Sequence, residues 1–218
     1  HLAEIAKGLN IVRYGTDEAA ALSVSGKVVA CNPKLEIALK MAESLDIYSV
    51  KTNIVGTYNL MNMLAAAAIG KHFGVDNEQI CHALSNYVPS NNRSQLTVTE
   101  SNSLVVDAYN ANPTSMAAAL ENFRLMEANK KMAILGEMRE LGNESLQEHQ
   151  RIIDILCTLP LDEIWLVGTN FASTNREALT TPHIVFENVE QVKEHLSHYP
   201  ISDRTILIKG SNGTKLFQ

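Results

Sequence analysis

Side chains that can bind an anion or form hydrogen bonds crowd one short stretch of the sequence. A carboxylate (Asp107), a phenol (Tyr109) and two amides (Asn110 and Asn112) directly follow an apolar run. Asn112 and Pro113 are typical of the N-cap and the first residue of a helix. A helix N-terminus presents unpaired N–H groups and the positive end of the helix dipole. The stretch therefore predicts a strand–loop–helix joint that binds an anionic ligand, with Asp107 placed to accept hydrogen bonds from a ribose or to orient a cation. The alternative is that these residues only shape the turn.

Two further stretches combine glycines with a charged group after an apolar run. They are Gly136–Gly142 and Lys209–Gly213, and their glycines allow a backbone to approach a ligand closely. Lys209 and Ser211 are the candidate site residues here. The second stretch lacks P-loop spacing, and no Gly-x-Gly-x-x-Gly follows the first predicted strand, so a dinucleotide cofactor is not expected.

Two asparagines one turn apart open an apolar helix in the first part of the chain. Asn59 alone is explained by a helix cap, but Asn62 lies one turn inside, where asparagine has a poor helix propensity. The two side chains share a face, which suggests a binding role. Arg93 lies in a polar segment and is interpreted either as a solvated linker residue or as a nucleotide clamp.

The pattern of elements changes at the polar segment Pro89–Asn92, where we expect a linker. Before it, the sequence predicts short strands, with a hairpin turning at Ser25–Lys27, and helices at Thr57–Phe73 and Asp76–Tyr87. After it, apolar strands are expected at Leu104–Val106, Met132–Leu135, Ile164–Val167 and Thr205–Ile208, and helices at Pro113–Ala128, Glu144–Leu156 and Val189–His198. This alternation predicts an α/β fold with a doubly wound parallel sheet, in which ligands bind at the carboxyl ends of the strands.

The composition narrows the classes of function. The chain has 218 residues, of which 45% are hydrophobic and 19% charged, as in ordinary globular proteins. A net charge of −6 and the lack of a basic face argue against nucleic-acid binding. No apolar run approaches the roughly 20 residues that span a bilayer, so membrane insertion is not expected. The cysteines and histidines show no metal-binding spacing, and no metal ligand is assigned.

These motifs together resemble the Mur ligase family of ATP-dependent amide ligases. The stretch Gly56–Ala66 is similar to the Asn-x-x-Asn helix of its central ATPase domain, and Arg93 to the arginine at the boundary with its C-terminal domain. The stretch Asp107–Pro113 resembles the Asp-x-Tyr-Asn-Ala-Asn segment of the branch that adds D-alanyl-D-alanine. Members that add diaminopimelate or lysine carry Asp-Tyr-Ala-His there. Gly136–Gly142 and Lys209–Ser211 extend the likeness to the same branch.

The resemblance implies the end of the central ATPase domain at residues 1–94 and a Rossmann-like C-terminal domain at 95–218. It implies a cytoplasmic monomer that uses ATP and Mg²⁺ to join D-alanyl-D-alanine to UDP-MurNAc-tripeptide through an acyl phosphate, in peptidoglycan synthesis. The implied roles are nucleotide binding for Asn59, Asn62, Arg93, Asp107 and Tyr109, substrate binding for Asn110, Asn112 and Ser211, and catalysis for Arg93 and Lys209.

The sequence also departs from the family pattern. The family's P-loop, its magnesium ligands and its modified lysine are expected before His1, so we expect this stretch alone neither to bind ATP tightly nor to ligate. Asn212 stands where the family often carries arginine. Two alternatives stay open: a sister ligase of the diaminopimelate-adding or folylpolyglutamate type, and a non-catalytic Rossmann-like binding module.

Overall fold

A computed structural model describes residues 6, 8–17, 21–90 and 92–216. The chain divides between Val88 and Pro89 into two compact units, at the start of the segment that the sequence predicts as a linker. No helix in the described ranges is long and apolar enough to cross a membrane.

The first unit contains a four-stranded sheet and two helices. The strands are β1 (Tyr14–Gly15), β2 (Val24–Cys31), β3 (Lys34–Met41) and β4 (Ile47–Val55), and the helices are α1 (Leu60–His72) and α2 (Asn77–Asn86). The sheet order is β1-β2-β3-β4, with β1 parallel to β2 and the other pairs antiparallel. Every second residue of β3 is buried, which is the pattern of a sheet with one covered face.

The hairpin predicted at Ser25–Lys27 is wrong, because β2 runs through these residues without a turn. A side chain at Gly26 would lie 2.7 Å from the Ala38 carbonyl oxygen and 2.8 Å from a methyl group of Leu64. The glycine is needed for the close approach of α1 to the strand, and not for a change in chain direction. The chain instead turns between β2 and β3 at Asn32–Pro33, where the peptide bond is cis.

The two predicted helices of this unit are confirmed. A single 3₁₀ turn at Thr57–Asn59 precedes α1, whose buried residues lie on one face: Leu60, Met63, Leu64, Ala67 and Ala68. Gly74 follows with φ of 77°, the left-handed conformation that ends many helices. The Asp76 carboxylate caps α2 by accepting the Glu78 N–H at 2.8 Å.

The second unit is a six-stranded sheet with helices. Its strands are β5 (Gln95–Val98), β6 (Asn102–Asp107), β7 (Lys131–Gly136), β8 (Glu163–Val167), β9 (His183–Phe186) and β10 (Arg204–Lys209). Its helices are α3 (Pro113–Leu125), α4 (Ser145–Leu156), α5 (Thr169–Ala172) and α6 (Val189–His198). The order is β5-β6-β10-β7-β8-β9, with every pair parallel except β5 and β6. The predicted doubly wound α/β fold is confirmed, and β5, β9 and α5 are additions to it.

Both faces of this sheet are covered. Met132 and Ile134 of β7 belong to one apolar cluster with Val192 of α6. The alternate residues of the strand, Ala133 and Leu135, are also buried and face the other side, because side chains alternate along a strand. Right-handed crossovers place α3 and α4 on that side. The last strand, β10, inserts between β6 and β7, so the carboxyl ends of these three strands lie side by side.

Candidate functional site

The carboxyl ends of β6 and β10 bring together a carboxylate and an ammonium group. Asp107 and Lys209 are the last residues of the two strands and are paired in register. Lys209 Nζ lies 2.6 Å from Asp107 Oδ2, and the two side chains are only 1% and 13% exposed. A buried charge needs such a partner, because burial removes its hydration. Lys209 is therefore an internal counter-charge, and not an exposed cation.

The same ion pair fixes the loop that leaves β6, which we call the first joint (residues 107–112). Asp107 Oδ1 accepts the Ser94 N–H at 3.2 Å, and Lys209 Nζ lies 3.5 Å from the Asn110 carbonyl oxygen. The Asp107 carboxylate therefore ties the end of β6 to both the segment before β5 and the end of β10.

A cation and an aromatic ring form an exposed platform beside this joint. The Arg93 guanidinium lies 3.6 Å from the centre of the Tyr109 ring, and both residues are exposed. The Ala108 N–H donates to the Asn92 carbonyl at 2.9 Å, which ties the segment carrying Arg93 to the joint. An aromatic face orients a guanidinium without cancelling its charge, so Arg93 is presented to solvent as a flat cation.

The two asparagines of the first joint already make local hydrogen bonds. Asn112 caps α3: its Oδ1 accepts the Ser115 N–H at 2.8 Å, while Ser115 Oγ accepts the Asn112 N–H at 3.1 Å. Asn110 Oδ1 accepts the Ala111 N–H at 2.9 Å. Both side chains use their oxygens in this way, which leaves the NH₂ groups as the donors for a ligand.

The loop that leaves β7, the second joint (residues 137–144), carries an anion and a cation. Glu137 Oε2 accepts the Asn170 side-chain N–H at 2.9 Å, and Glu137 Oε1 lies 3.7 Å from Arg139 Nε. Gly168 and Gly213 leave room for these side chains, because a methyl group on either would collide with Glu137 or Arg139 respectively. A cleft of about 260 Å³ results, and its lining carries two cations and three carboxylates: Arg139, Lys215, Glu137, Glu187 and Glu190. Arg139 and Lys215 were not among the candidate site residues predicted from the sequence.

Ser211 connects the ends of two strands. It is 4% exposed, and its N–H and Oγ both donate to the Glu137 carbonyl, at 3.3 and 2.8 Å. These bonds hold the chain after β10 against the second joint, so the hydroxyl group is engaged within the protein.

A buried histidine lies beneath the second joint, and the sequence analysis missed its role. His149 is fully buried, and its Nε2 accepts the Met138 N–H at 3.0 Å. Burial lowers the pKa of the imidazole, an effect that the Ser145 carbonyl and the Glu137 carboxylate partly oppose. The signal was present in the sequence: His149 continues the helical stripe of Ile152, Ile153 and Leu156.

The two asparagines of the first unit bond to one another. Asn62 Nδ2 donates to Asn59 Oδ1 at 3.1 Å, and Asn59 Nδ2 donates to the Val55 carbonyl at 2.9 Å. Asn59 is buried and Asn62 is exposed, so the inner amide holds the outer one at the start of α1.

The structure thus gathers most of the predicted residues at one edge of the second unit. Arg93, Asp107, Tyr109, Asn110, Asn112, Lys209 and Ser211 lie in or beside the two joints, while Asn59 and Asn62 lie in the first unit. Among the described residues, no group of three His, Cys, Asp or Glu side chains could hold a metal ion.

A family profile and several named relatives match the part of the chain that forms this edge. The profile described as "Mur ligase, glutamate ligase domain" matches residues 92–212. A UDP-N-acetylmuramoyl-tripeptide–D-alanyl-D-alanine ligase of Bacillus subtilis is 34% identical over 175 residues, covering 75% of this chain and 37% of the relative. The enzyme of the same name from Mycobacterium tuberculosis H37Rv is 37% identical over 127 residues, or 55% of this chain and 25% of the relative.

Solved structures extend the likeness to both units. The Acinetobacter baumannii UDP-N-acetylmuramoylalanyl-D-glutamyl-2,6-diaminopimelate–D-alanyl-D-alanyl ligase has a TM-score of 0.81 and 27% identity, over 99% of this chain and 47% of that one. A Thermotoga maritima MurF ligase in complex with ADP has a TM-score of 0.68 at 20% identity, which shows the fold alone, over 89% of this chain and 44% of that one. The chain spans less than half the length of these proteins.

Proposed function

The chain belongs to the Mur ligase family, and on this premise we propose that it is part of an ATP-dependent ligase of peptidoglycan synthesis. The ligase joins D-alanyl-D-alanine to UDP-MurNAc-tripeptide. The observation that carries the proposal is the first joint, whose Asp107–Asn112 sequence is typical of the branch that adds this dipeptide. The relatives from B. subtilis and M. tuberculosis, which are named for this reaction, support it.

We assign residues 1–94 to the end of the central ATPase domain and residues 95–218 to the C-terminal domain. The enzyme is proposed to act as a monomer in the cytoplasm.

The first joint is proposed to bind the nucleotide. The exposed guanidinium of Arg93, held flat on Tyr109, suits a phosphate or an adenine ring, both of which favour a planar cation. The carboxylate of Asp107 suits a ribose hydroxyl. Asn59 and Asn62 are the nucleotide contacts assigned to the first unit. Mg²⁺, held by residues outside the described part of the chain, supplies charge neutralisation at the phosphates.

Lys209 is proposed to act through Asp107. Its ammonium group is buried against the carboxylate, so it holds the Asp107 side chain in place at the edge of the sheet. The earlier expectation of a catalytic role for Lys209 becomes that of a positioning residue. Ser211 is likewise proposed as a positioning residue, because it anchors the second joint through the Glu137 carbonyl.

The cleft at the second joint is proposed to receive the acceptor dipeptide. Arg139 and Lys215 provide positive charge for its carboxylate, and the N-terminus of α6, capped by Asn188, adds the positive end of a helix dipole. Asn110 and Asn112 of the first joint remain candidate donors to the reacting groups.

The chemistry follows from these positions. A carboxylate oxygen of the tripeptide takes the γ-phosphoryl group of ATP, and ADP leaves. The amine nitrogen of the dipeptide then attacks the acyl carbon, the carbon–oxygen bond to phosphate breaks, and the amine loses a proton. Holding the amine near the acyl phosphate and excluding water are the tasks that such a protein edge can perform.

An acceptor assay on the full-length protein tests the proposal. Phosphate release with ATP and UDP-MurNAc-tripeptide is measured with D-alanyl-D-alanine, meso-diaminopimelate or glutamate as acceptor. We expect release with the dipeptide at least 100-fold faster than with either amino acid. Preference for an amino acid would assign the chain to a sister ligase, and the absence of any release would favour a binding module.

A further inference from the structure

We propose that His149 is a positioning residue for the second joint. As a neutral imidazole with its proton on Nδ1, it holds the backbone of Met138 at the edge of the cleft. Protonation of Nε2 breaks this bond to Met138, while the Nδ1–H bond to Ser145 remains. The claim that the second joint binds the acceptor rests on the proposed function. The dependence of the Met138 hydrogen bond on the charge of His149 does not.

The hydrogen bonds of His149 define one tautomer. Nδ1 lies 2.7 Å from the Ser145 carbonyl oxygen, which can only accept, so Nδ1 carries the proton. The Met138 N–H donates to Nε2 at 3.0 Å, so Nε2 carries a lone pair. A protonated imidazole has donors at both nitrogens and would place an N–H against the Met138 N–H. The joint in its observed geometry therefore requires the neutral ring.

A second chain of bonds links the same turn of α4 to the charged groups of the cleft. Ser145, whose carbonyl accepts from His149, donates from Oγ to Asn170 Oδ1 at 3.1 Å. Asn170 in turn donates to Glu137 Oε2 at 2.9 Å. Phe171, the next residue, packs edge-on against the imidazole with 4.7 Å between ring centres. The histidine thus lies under both Glu137 and the backbone that leads to Arg139.

The surroundings favour the neutral ring. Burial lowers the pKa of His149 from its usual value near 6.5, although the Glu137 carboxylate acts in the opposite direction. Helix α5 contributes Asn170 and Phe171, and its four residues include no ionisable side chain. The other charged residues on the elements around the ring include three ion pairs: Arg139 with Glu137, Arg151 with Glu148, and Arg124 with Glu121. The same elements also carry Glu140, Glu144 and Asp154.

A histidine that served only as core filling would not need these contacts. His195 offers a comparison: its ring is only partly buried and packs against Trp165 and Phe186 at 5.1 and 5.5 Å. An apolar residue at 149 would fill the space but would leave the Met138 N–H without its acceptor. Glutamine offers an acceptor for the Met138 N–H but cannot be protonated in this pH range. It therefore separates the need for an acceptor from the need for a titratable group.

NMR on the chain of residues 1–218 tests the device without any ligase assay. Imidazole ¹⁵N shifts are expected to show His149 with its proton on Nδ1 at pH 7. At pH values below 6.5, the hydrogen-exchange protection factor of the Met138 amide is expected to decrease as the pH falls, by close to tenfold per pH unit. Protonation on Nε2, or a protection factor that stays constant down to pH 5, would overturn the proposal.

Two variants complete the test. His149→Gln is expected to keep Met138 protected and to abolish the pH dependence, whereas His149→Phe loses protection at every pH. His195→Gln is the matched control and is expected to leave the wild-type profile unchanged. A glutamine variant that retained the wild-type pH dependence would contradict the proposal. The wild-type measurement decides the question if a variant fails to fold.

Kinetics of the full-length protein separate this proposal from the proposed function. The KM for D-alanyl-D-alanine is expected to rise as the pH falls from 7 to 5 in the wild type, with a slope that His149→Gln removes. If the dipeptide is not a substrate at all, the proposed function fails while the Met138 result stands. If the dipeptide is used but the two KM profiles coincide, His149 does not position the acceptor cleft.

Discussion

The first and second joints follow β6 and β7 at the carboxyl ends of the same sheet. They differ in how their charged side chains are held. At the first joint, the strand-end carboxylate of Asp107 is buried against Lys209, and the cation that remains exposed, Arg93, rests on an aromatic ring. At the second joint, Glu137 and Arg139 are 3.7 Å apart beside an open cleft. The backbone beneath them is held by a neutral histidine.

This difference shows two ways of fixing a loop. The first joint uses an ion pair and a helix cap. The second joint uses an imidazole, whose charge changes in mildly acidic solution. We therefore expect the second joint to loosen in mild acid.

The largest expected effect comes from removing the buried ammonium group. Lys209→Met leaves Asp107 without its counter-charge, and we expect the free energy of unfolding of the second unit to fall by about 3–5 kcal/mol. Trp165, the only tryptophan and fully buried in this unit, reports the transition in urea. Lys193→Met on the exposed side of α6 is the control, with an expected change within about 0.5 kcal/mol. A loss below about 1 kcal/mol for Lys209→Met would show that the pair does not hold the first joint.

Mild acid is expected to have the next largest effect, acting on the second joint through His149. Above pH 6.5 the histidine is neutral in both the folded and the unfolded chain. Because its folded pKa is lowered, only the unfolded chain takes up a proton just below pH 6.5, and stability falls until the folded pKa is reached. The loss attributable to His149 cannot exceed about 1.4 kcal/mol per pH unit.

The difference between wild type and His149→Gln isolates this contribution. Their free energies of unfolding are compared at pH 7.5 and pH 5.5 through Trp165 emission. The wild type should lose more stability than the variant over this interval. Equal losses would place the acid sensitivity elsewhere in the unit.

A smaller effect separates the helices that follow the two joints. Asn112→Ala removes the side-chain cap of α3 and should cost about 1 kcal/mol. Glu144 occupies the equivalent position before α4, where no side-chain cap is formed, so Glu144→Ala should change stability by less than about 0.5 kcal/mol. Urea unfolding measures the loss in free energy of unfolding for each variant. Equal losses would refute the distinction between the two helix starts.

The smallest effect on stability is expected at the exposed platform. Tyr109→Leu removes the ring under Arg93, a contact worth about 0.5–1 kcal/mol at an exposed site. Thermal unfolding of the two proteins should therefore differ by only a few degrees. A much larger loss would mean that Tyr109 belongs to the core of the joint, and not to a surface for a ligand.

The two features of the first joint, its helix cap and its buried ion pair, differ in how far they could be predicted from the sequence. The helix start at Asn112–Pro113 was predictable because capping uses residues that are close together in the chain. The buried pair could not be derived in the same way, since Asp107 and Lys209 are 102 positions apart and meet only because β10 inserts next to β6. Strand order of this kind depends on packing between helices and sheet and leaves no local pattern.

Shorter elements were missed for a different reason. The strands β5 and β9 have four residues each. In β5 the apolar residues are interrupted by a threonine, while β9 contains a run of three apolar residues, 184–186, that was not assigned as a strand. Gly26 looked like a turn residue because the sequence cannot show that a helix crosses close above it. His149 was predictable in part: the stripe on α4 indicates its burial, but its bond to Met138 requires the fold.

A matched pair of arginine variants tests the division of labour between the joints most directly. In the full-length protein, nucleotide affinity and the KM for D-alanyl-D-alanine are measured for Arg93→Ala and Arg139→Ala, with Arg151→Ala on the exposed side of α4 as control. We predict that Arg93→Ala weakens nucleotide binding at least tenfold without a change in the dipeptide KM, and that Arg139→Ala does the reverse. Unchanged nucleotide binding in Arg93→Ala, or equal effects of both variants on both ligands, would contradict the account.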